Sequence, residues 1–370
     1  MSSWEQEKIA SFQNDFLTWY EKHLRNLPWR VDTNPYRIWI SEIMLQQTRV
    51  ETVVDYFYRF MEKYPTVESL ANAHEDELLK IWEGLGYYSR ARNLQIAAKQ
   101  IVENHGGKMP NTPVEISTLK GIGPYTTGAI ASIAFNLPEP AIDGNVMRVT
   151  SRLFEIDADI SKASSRKVFD KYMRKIISHK QPGEFNQAMM DLGSSVCTPT
   201  SPKCKICPIQ SYCQSYENQT MLNFPVKTKK IKQKPLYYIA FVLKNKYDEY
   251  YLERRDGQGL LANMWTFPMV EVTKEAYEKL EFQQPNLAND FVLATKPLGE
   301  TTHIFSHLKW HIQVFEGLPR ENFIAKEENL KENQAWVSKK DFGRFVFPKP
   351  QIKMFDLLKS SSKKVIRDAP

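Results

Sequence analysis

Four cysteines, Cys197, Cys204, Cys207 and Cys213, stand in the spacing C-x6-C-x2-C-x5-C and are the only cysteines in 370 residues. A disulfide framework spreads its cysteines to staple distant segments. A knot this tight must instead wrap something, and thiolates wrap soft metals or an iron–sulfur cube. Structural zinc usually takes two short C-x2-C knuckles, and one is present here. The spacing therefore favours a four-cysteine cluster site, with structural zinc as the alternative. All four thiolates are spent on ligation, so no position is left open for a substrate. Such a site is structural or electron-sensing rather than catalytic.

Thiolate ligation points to a reducing compartment. The N-terminus, MSSWEQEKIASF, carries acidic residues and lacks the apolar stretch of a secretory signal. No apolar run approaches the ~20 residues needed to span a bilayer. A cytoplasmic protein without a membrane partner is the expectation. A chain of 370 residues suggests two domains, each able to bury a core. The net charge of +7 is unevenly placed: residues 1–220 hold 25 basic and 25 acidic side chains, and residues 221–370 hold 25 and 18. Global charge is thus a weak sign of nucleic acid, and any basic footprint must come from folding.

The chain changes character near residues 214–235. Before it, apolar positions recur at helical spacing, as in WISEIMLQQTRVETVVDYFYRFMEKY (39–64) and DELLKIWEGLGYYSRARNLQIAAKQIVENHGG (76–107). After it, LYYIAFVLKN, EYYLERR and HLKWHIQVFEGL are short, aromatic and β-branched, as strands require. Between them VKTKKIKQKP (226–235) holds five lysines and no acid. It reads as a solvated linker whose lysines could also meet phosphates.

A second motif is LKGIGPYTTGAI (119–130), where Gly121 and Gly123 flank Ile122 between helical stretches. A tight hairpin there leaves backbone N–H groups bare at the start of a helix, ready to bind a phosphate without reading a base. Gly121, Gly123 and Thr126 are the candidate DNA-backbone contacts. Alone, a G-x-G turn is weak evidence; the cysteine knot downstream gives it weight.

Together with SEIMLQQT, GLGYYSRARNL and IDGNVMRV, these motifs make the chain resemble the helix-hairpin-helix DNA glycosylases with an iron–sulfur cluster, the endonuclease III superfamily, and most nearly its adenine-excising members. The resemblance implies a mostly α helix-hairpin-helix glycosylase core over residues 1–213, with a [4Fe-4S] loop at 197–213. A basic linker over 214–235 would lead to an α+β Nudix-like recognition domain over 236–370. It implies removal of adenine mispaired with 8-oxoguanine or guanine in double-stranded DNA, by a monomer in a bacterial cytoplasm, associated with the nucleoid through its DNA. A sliding-clamp or mismatch-repair partner fits the family, but no motif for one can be located.

Cleaving an N-glycosidic bond needs a protonated leaving base and a stabilised sugar cation, work suited to one neutral and one ionised carboxyl. Glu42, on a largely apolar helix, resembles the acid that protonates adenine at N7. By periodicity alone it would be an ordinary surface glutamate. Asp143, which also reads as a turn or helix cap, resembles the carboxylate facing C1′, assisted by Asn145. Tyr125 stands where strand-nicking relatives carry a Schiff-base lysine; tyrosine cannot form an imine, so base removal without nicking is expected. The target must be flipped out of the duplex. Leu85 and Tyr87 supply wedge material at a glycine-rich turn, with Gln47 and Thr48 probing the gap. Arg25, Trp29 and Gln187 resemble walls of the adenine pocket. In the second domain HIFSHLKW (303–310) resembles the loop that reads the oxidised guanine through Ser306 and His307, while the metal-binding glutamates of a Nudix box are missing. Two other readings compete: a bifunctional glycosylase/lyase, opposed by Tyr125, and a non-catalytic iron–sulfur protein, opposed by the presence of both carboxyls.

Overall fold

The computed structural model describes residues 4–228, 233–282, 291–320 and 330–365. Its contacts divide the chain into two compact units, residues 1–74 with 89–229, and residues 75–88 with 230–370. The first is helical, the second built on sheets. Among the described residues no helix is long and apolar enough to cross a membrane. Of the linker lysines, Lys229, Lys230 and Lys232 lie outside the described residues.

In the helical unit the long periodic stretches are interrupted. The first holds α2 (Pro35–Leu45) and α3 (Val50–Lys63), following α1 (Gln6–His23). Asn34 starts α2 by accepting the N–H groups of Tyr36 and Arg37, with Pro35 supplying a preset φ. Its last carbonyls are satisfied by the buried Arg90 guanidinium, which donates to those of Ile43, Met44 and Gln46 at 2.7–3.1 Å. After the short α4 (Val67–Ala71), the second stretch breaks into α5 (Glu75–Ile81) and α6 (Ser89–His105), separated by a turn in which Gly84, Gly86 and Tyr87 all have positive φ.

The hairpin falls between α7 (Pro113–Thr118) and α8 (Pro124–Phe135). Gly121 has φ +81°, and a Cβ there would lie 2.7 Å from that of Asn93. Glycine is required on both counts. Then α9 (Gly144–Phe154), α10 (Arg166–Ile176) and α11 (Pro182–Ser195) close over α1. Their shared core is aromatic and aliphatic: Phe12, Phe16, Val146, Phe169, Phe185 and Leu192 are fully buried.

The second unit centres on β1 (Lys234–Leu243) paired in parallel with β7 (Leu308–Pro319) over ten register positions. β4 (Met269–Val272), β5 (Phe291–Leu293) and β6 (Gly299–Ile304) complete a five-stranded sheet. A three-stranded sheet is formed by β2 (Glu249–Arg254), β3 (Trp265–Thr266) and β8 (Gln334–Ser338). Along β1, Ala240 and Val242 join one apolar cluster while Ile239, Phe241 and Leu243 join another, the period-two pattern of a strand covered on both faces. Residues 75–88 belong to this unit through Asp76–Arg254, Glu75–Asn263 and Lys80–Phe345 carbonyl bonds, and through the Phe347 N–H donating to Glu83. The sequence pattern grouped them with the helical core instead.

Candidate active site and cysteine loop

Glu42 lies on α2, Tyr125 in the first turn of α8 and Asp143 immediately before α9, and all three line one cavity of about 220 Å³. Arg25, Trp29, Thr48, Asn145 and Gln187 line it too. Eight residues drawn from separate motifs thus meet at one point. Glu42 is 6% exposed and accepts a 2.6 Å hydrogen bond from the Tyr125 hydroxyl. Burial raises its carboxyl above the usual value, opposed by the Tyr125 bond and by Arg30, and reinforced by Asp143. Tyr125 is pushed well above its ordinary value, first by burial and then by Glu42 and Asp143.

Asp143 is the N-cap of α9, as its Asp-Gly-Asn context allows: Oδ1 accepts the Val146 N–H at 2.7 Å. Oδ2 accepts from Asn145 Nδ2 at 3.0 Å. Burial raises this carboxyl also, while these donors and Arg148 favour the carboxylate. Asn145 is fixed in turn by Arg148, which donates to its Oδ1 at 2.8 Å and to the carbonyls of Gly193 and Cys197. A Cβ at Gly193 would sit 2.7 Å from Asn145 Cβ, so α11 packs against this asparagine only because position 193 is glycine.

The cavity also holds groups that motif reading missed. Arg30 makes a two-pronged ion pair with Asp191, at 2.7 and 3.1 Å, and Asp191 is also 4.0 Å from Arg25. Arg30 and Asp191 are 161 positions apart, so only its place beside Trp29 in LPWR hinted at this arginine.

Thr48, at the cavity edge, has its Oγ1 3.5 Å from Arg90. The remaining predicted residues lie elsewhere. Gln47 is exposed with φ +59°. Leu85 is 6% exposed, so it is packed rather than presented. Tyr87 is 47% exposed and in the left-handed region at φ +47°, a strain that a bulky side chain rarely bears. Its hydroxyl is 2.9 Å from Ser306 Oγ. Ser306 and His307 are both exposed at the tip of the β6–β7 hairpin. In the helix-hairpin-helix turn Gly121 and Gly123 are exposed, while Thr126 is 1% exposed, so it is packed rather than presented to a phosphate.

The four cysteines line a single cavity together with Val149, Leu153 and Ile209. None forms a disulfide. Among the described residues no three His, Cys, Asp or Glu side chains gather as ligands of one metal ion. Four thiols around a common apolar space are a donor set that a thiolate-held cluster fits. Buried Arg152 donates to Cys197 Sγ at 3.3 Å and to the Thr198 and Pro199 carbonyls. Burial pushes the Cys207 thiol up to about 12 and Cys213 to about 11, so ligation to a cation is what would make them thiolates.

Comparison with known proteins agrees with this arrangement. A family model described as HhH-GPD superfamily base excision DNA repair protein matches residues 40–175, and one described as NUDIX domain matches residues 239–357. An adenine DNA glycosylase from Rattus norvegicus is 35% identical over 363 residues, covering 83% of this chain and 70% of that protein. One from Buchnera aphidicola subsp. Schizaphis graminum is 32% identical over 357 residues, covering 95% and 99%. Among solved structures, a thermostable thymine-DNA glycosylase matches with a TM-score of 0.53 at 28% identity, covering 57% of this chain and 98% of that one.

Proposed function

The chain belongs to the adenine DNA glycosylase family, and from that premise we propose that the adenine it removes in base excision repair is one paired with 8-oxoguanine or guanine. The reaction is acid-assisted hydrolysis of the N-glycosidic bond of a flipped-out nucleotide. The observation that carries this reading is the meeting of Glu42, Tyr125 and Asp143 in one buried cavity.

Glu42 acts as the proton donor. Burial raises its proton affinity above that of an ordinary carboxyl, the direction a proton donor requires. The proton goes to adenine N7, and Tyr125 keeps the carboxyl aimed. Asp143 serves the developing sugar cation as carboxylate, the form that the Val146 and Asn145 N–H groups favour against the pull of burial. Arg25, Trp29, Gln187 and the Arg30–Asp191 pair form the walls that receive the base. Tyr125 offers no amine, so the product is an abasic site in an unbroken strand.

Tyr87, exposed on its turn, is the side chain suited to enter a base stack. In the helical unit the exposed Gln47 and its neighbour Thr48 are suited to probe a base, and the exposed start of α8 takes a backbone phosphate. Ser306 reads the opposite base, since a hydroxyl can accept from N7–H and donate to O8 of 8-oxoguanine. Cys197, Cys204, Cys207 and Cys213 would hold a [4Fe-4S] cluster. When bound, the cluster supplies a rigid core for the loop that exposes Lys203 and Lys205.

One assay tests the whole. Duplexes with adenine opposite 8-oxoguanine are incubated with the protein, with and without later alkali. Base loss that nicks only after alkali is expected. Nicking without alkali would make the enzyme a lyase, and absence of base loss would leave it a binding protein.

A further inference from the structure

Ser306 and His307 form a two-residue connection: β6 and β7 pair up to Ile304 with Lys309, and the Phe305 N–H donates to the Leu308 carbonyl at 2.8 Å. Two-residue hairpins normally use turns with positive φ at the first tip residue, because only these match the twist of the strands. Neither Ser306 nor His307 has positive φ. The tip therefore lacks the backbone geometry that would hold it by itself, and both side chains are exposed.

Beside the Tyr87 hydroxyl at Ser306 Oγ, the tip is held from the end of the linker. The Gln233 side-chain amide donates to the Phe305 carbonyl at 3.0 Å. The next residue, Lys234, donates its backbone N–H to the His307 carbonyl at 3.1 Å. These two bonds bracket Ser306 in sequence, one on each side. Phe305 is pinned edge-to-face on Trp310, with ring centroids 4.9 Å apart. The Lys234 bond belongs to the parallel β1–β7 ladder and any residue but proline could make it. The Gln233 bond depends on the side chain.

We propose that Gln233 is a positioning residue for the Ser306–His307 turn, and through it a determinant of the opposite-base preference. The inference rests on the proposed role of Ser306 as reader of the opposite base. A glutamine suits this position because it reaches across to a carbonyl with an uncharged donor, whereas glutamate of the same shape has no N–H to give.

The test uses full-length Gln233→Glu, Gln233→Lys, Ser306→Ala and the Ser306→Ala, Gln233→Glu pair. Single-turnover excision is measured on adenine opposite 8-oxoguanine and opposite guanine at matched salt. Gln233→Glu should lower the ratio of the two rates about two- to tenfold, the worth of one hydrogen bond. The loss should fall on the 8-oxoguanine duplex alone. Gln233→Lys, which keeps a donor, should keep the ratio, and the double variant should do no worse than Ser306→Ala. Equal slowing on both duplexes, or equal loss in the Glu and Lys variants, would overturn the assignment. So would a drop with Ser306→Ala and none with Gln233→Glu. An unchanged ratio in Ser306→Ala would instead sink the reading of Ser306, and with it the role given to Gln233.

Discussion

The excision cavity and the hairpin tip solve opposite problems. Glu42 is sealed at the meeting of α2, α8 and α9, and its neighbours are charged or hydrogen-bonded groups from residues as far apart as Arg30 and Asp191. Ser306 stands in the open on a two-residue turn, with Tyr87 as its side-chain partner. Bond cleavage requires carboxyls whose proton affinities are shifted by burial, so it needs an interior. Reading a lesion requires a hydroxyl that can reach a base, so it needs a surface. The first is built from many elements and resists substitution. The second is built from a few bonds and should be tunable.

The sharpest way to break that contrast is at the cavity. Asp143→Asn and Glu42→Gln should each lower single-turnover excision by about 10²–10⁴-fold while leaving duplex binding nearly unchanged. Retention of near-normal rates in either variant would remove that residue from the chemistry and make the buried cavity a structural feature. A smaller effect is expected at the cysteine loop. Purified protein should carry about four irons per chain. Cys204→Ser should lose iron and bind duplex less tightly, with a salt-dependence slope reduced by about 2 if Lys203 and Lys205 each meet a phosphate. Stoichiometric zinc in colourless protein would replace the cluster reading.

These expectations also separate what the sequence could reveal from what it could not. The cysteine loop and the Gly121–Gly123 hairpin were legible because their constraint is local: ligand spacing in one, left-handed backbone in the other. Asp143 carried two local signals, and the structure makes it a helix cap within the cavity. The Arg30–Asp191 pair and the Arg148 bond to the Cys197 carbonyl were not legible, since they join residues 161 and 49 positions apart. Two arginines four positions apart in VMRVTSRLF, on one face of a helical pattern with apolar residues, were the available hint, because charge that packs into a core must be paired. The grouping of residues 75–88 with the sheet unit was hidden for the same reason: Asp76 and Glu75 find Arg254 and Asn263 across nearly half the chain.

At the hairpin tip, Ser306→Ala should cost ~1–3 kcal/mol of discrimination between 8-oxoguanine and guanine opposite adenine, the scale of one directed pair to a base edge. Ser306→Ala with His307→Ala should cost more. Excision from the guanine-opposed duplex should barely move. If the full preference survives in single-turnover assays at matched salt, discrimination belongs to Gln47, Thr48 and Tyr87, and the surface half of the contrast disappears.

The smallest expected effect is thermodynamic and has the opposite sign to the catalytic one. Burial raises the Glu42 carboxyl above its ordinary 4.5 in the folded chain. A group with a raised folded value favours folding below its unfolded value, and that contribution is lost as pH climbs through the folded value. Above that point the buried carboxylate opposes folding. Glutamine keeps the shape, still accepts from the Tyr125 hydroxyl and cannot ionise. Glu42→Gln should therefore match the parent in Tm below about pH 4 and exceed it increasingly as pH climbs toward the raised folded value, at about 2–4 °C per kcal/mol for a unit of this size. Parent excision should decline over the same rising pH range, because the acid is losing the proton it delivers. One ionisation would then appear in two measurements, Tm and rate. A Tm difference that stays flat with pH would show that Glu42 titrates as an ordinary carboxyl, and that burial in the cavity does not set its proton affinity apart from that of an exposed group.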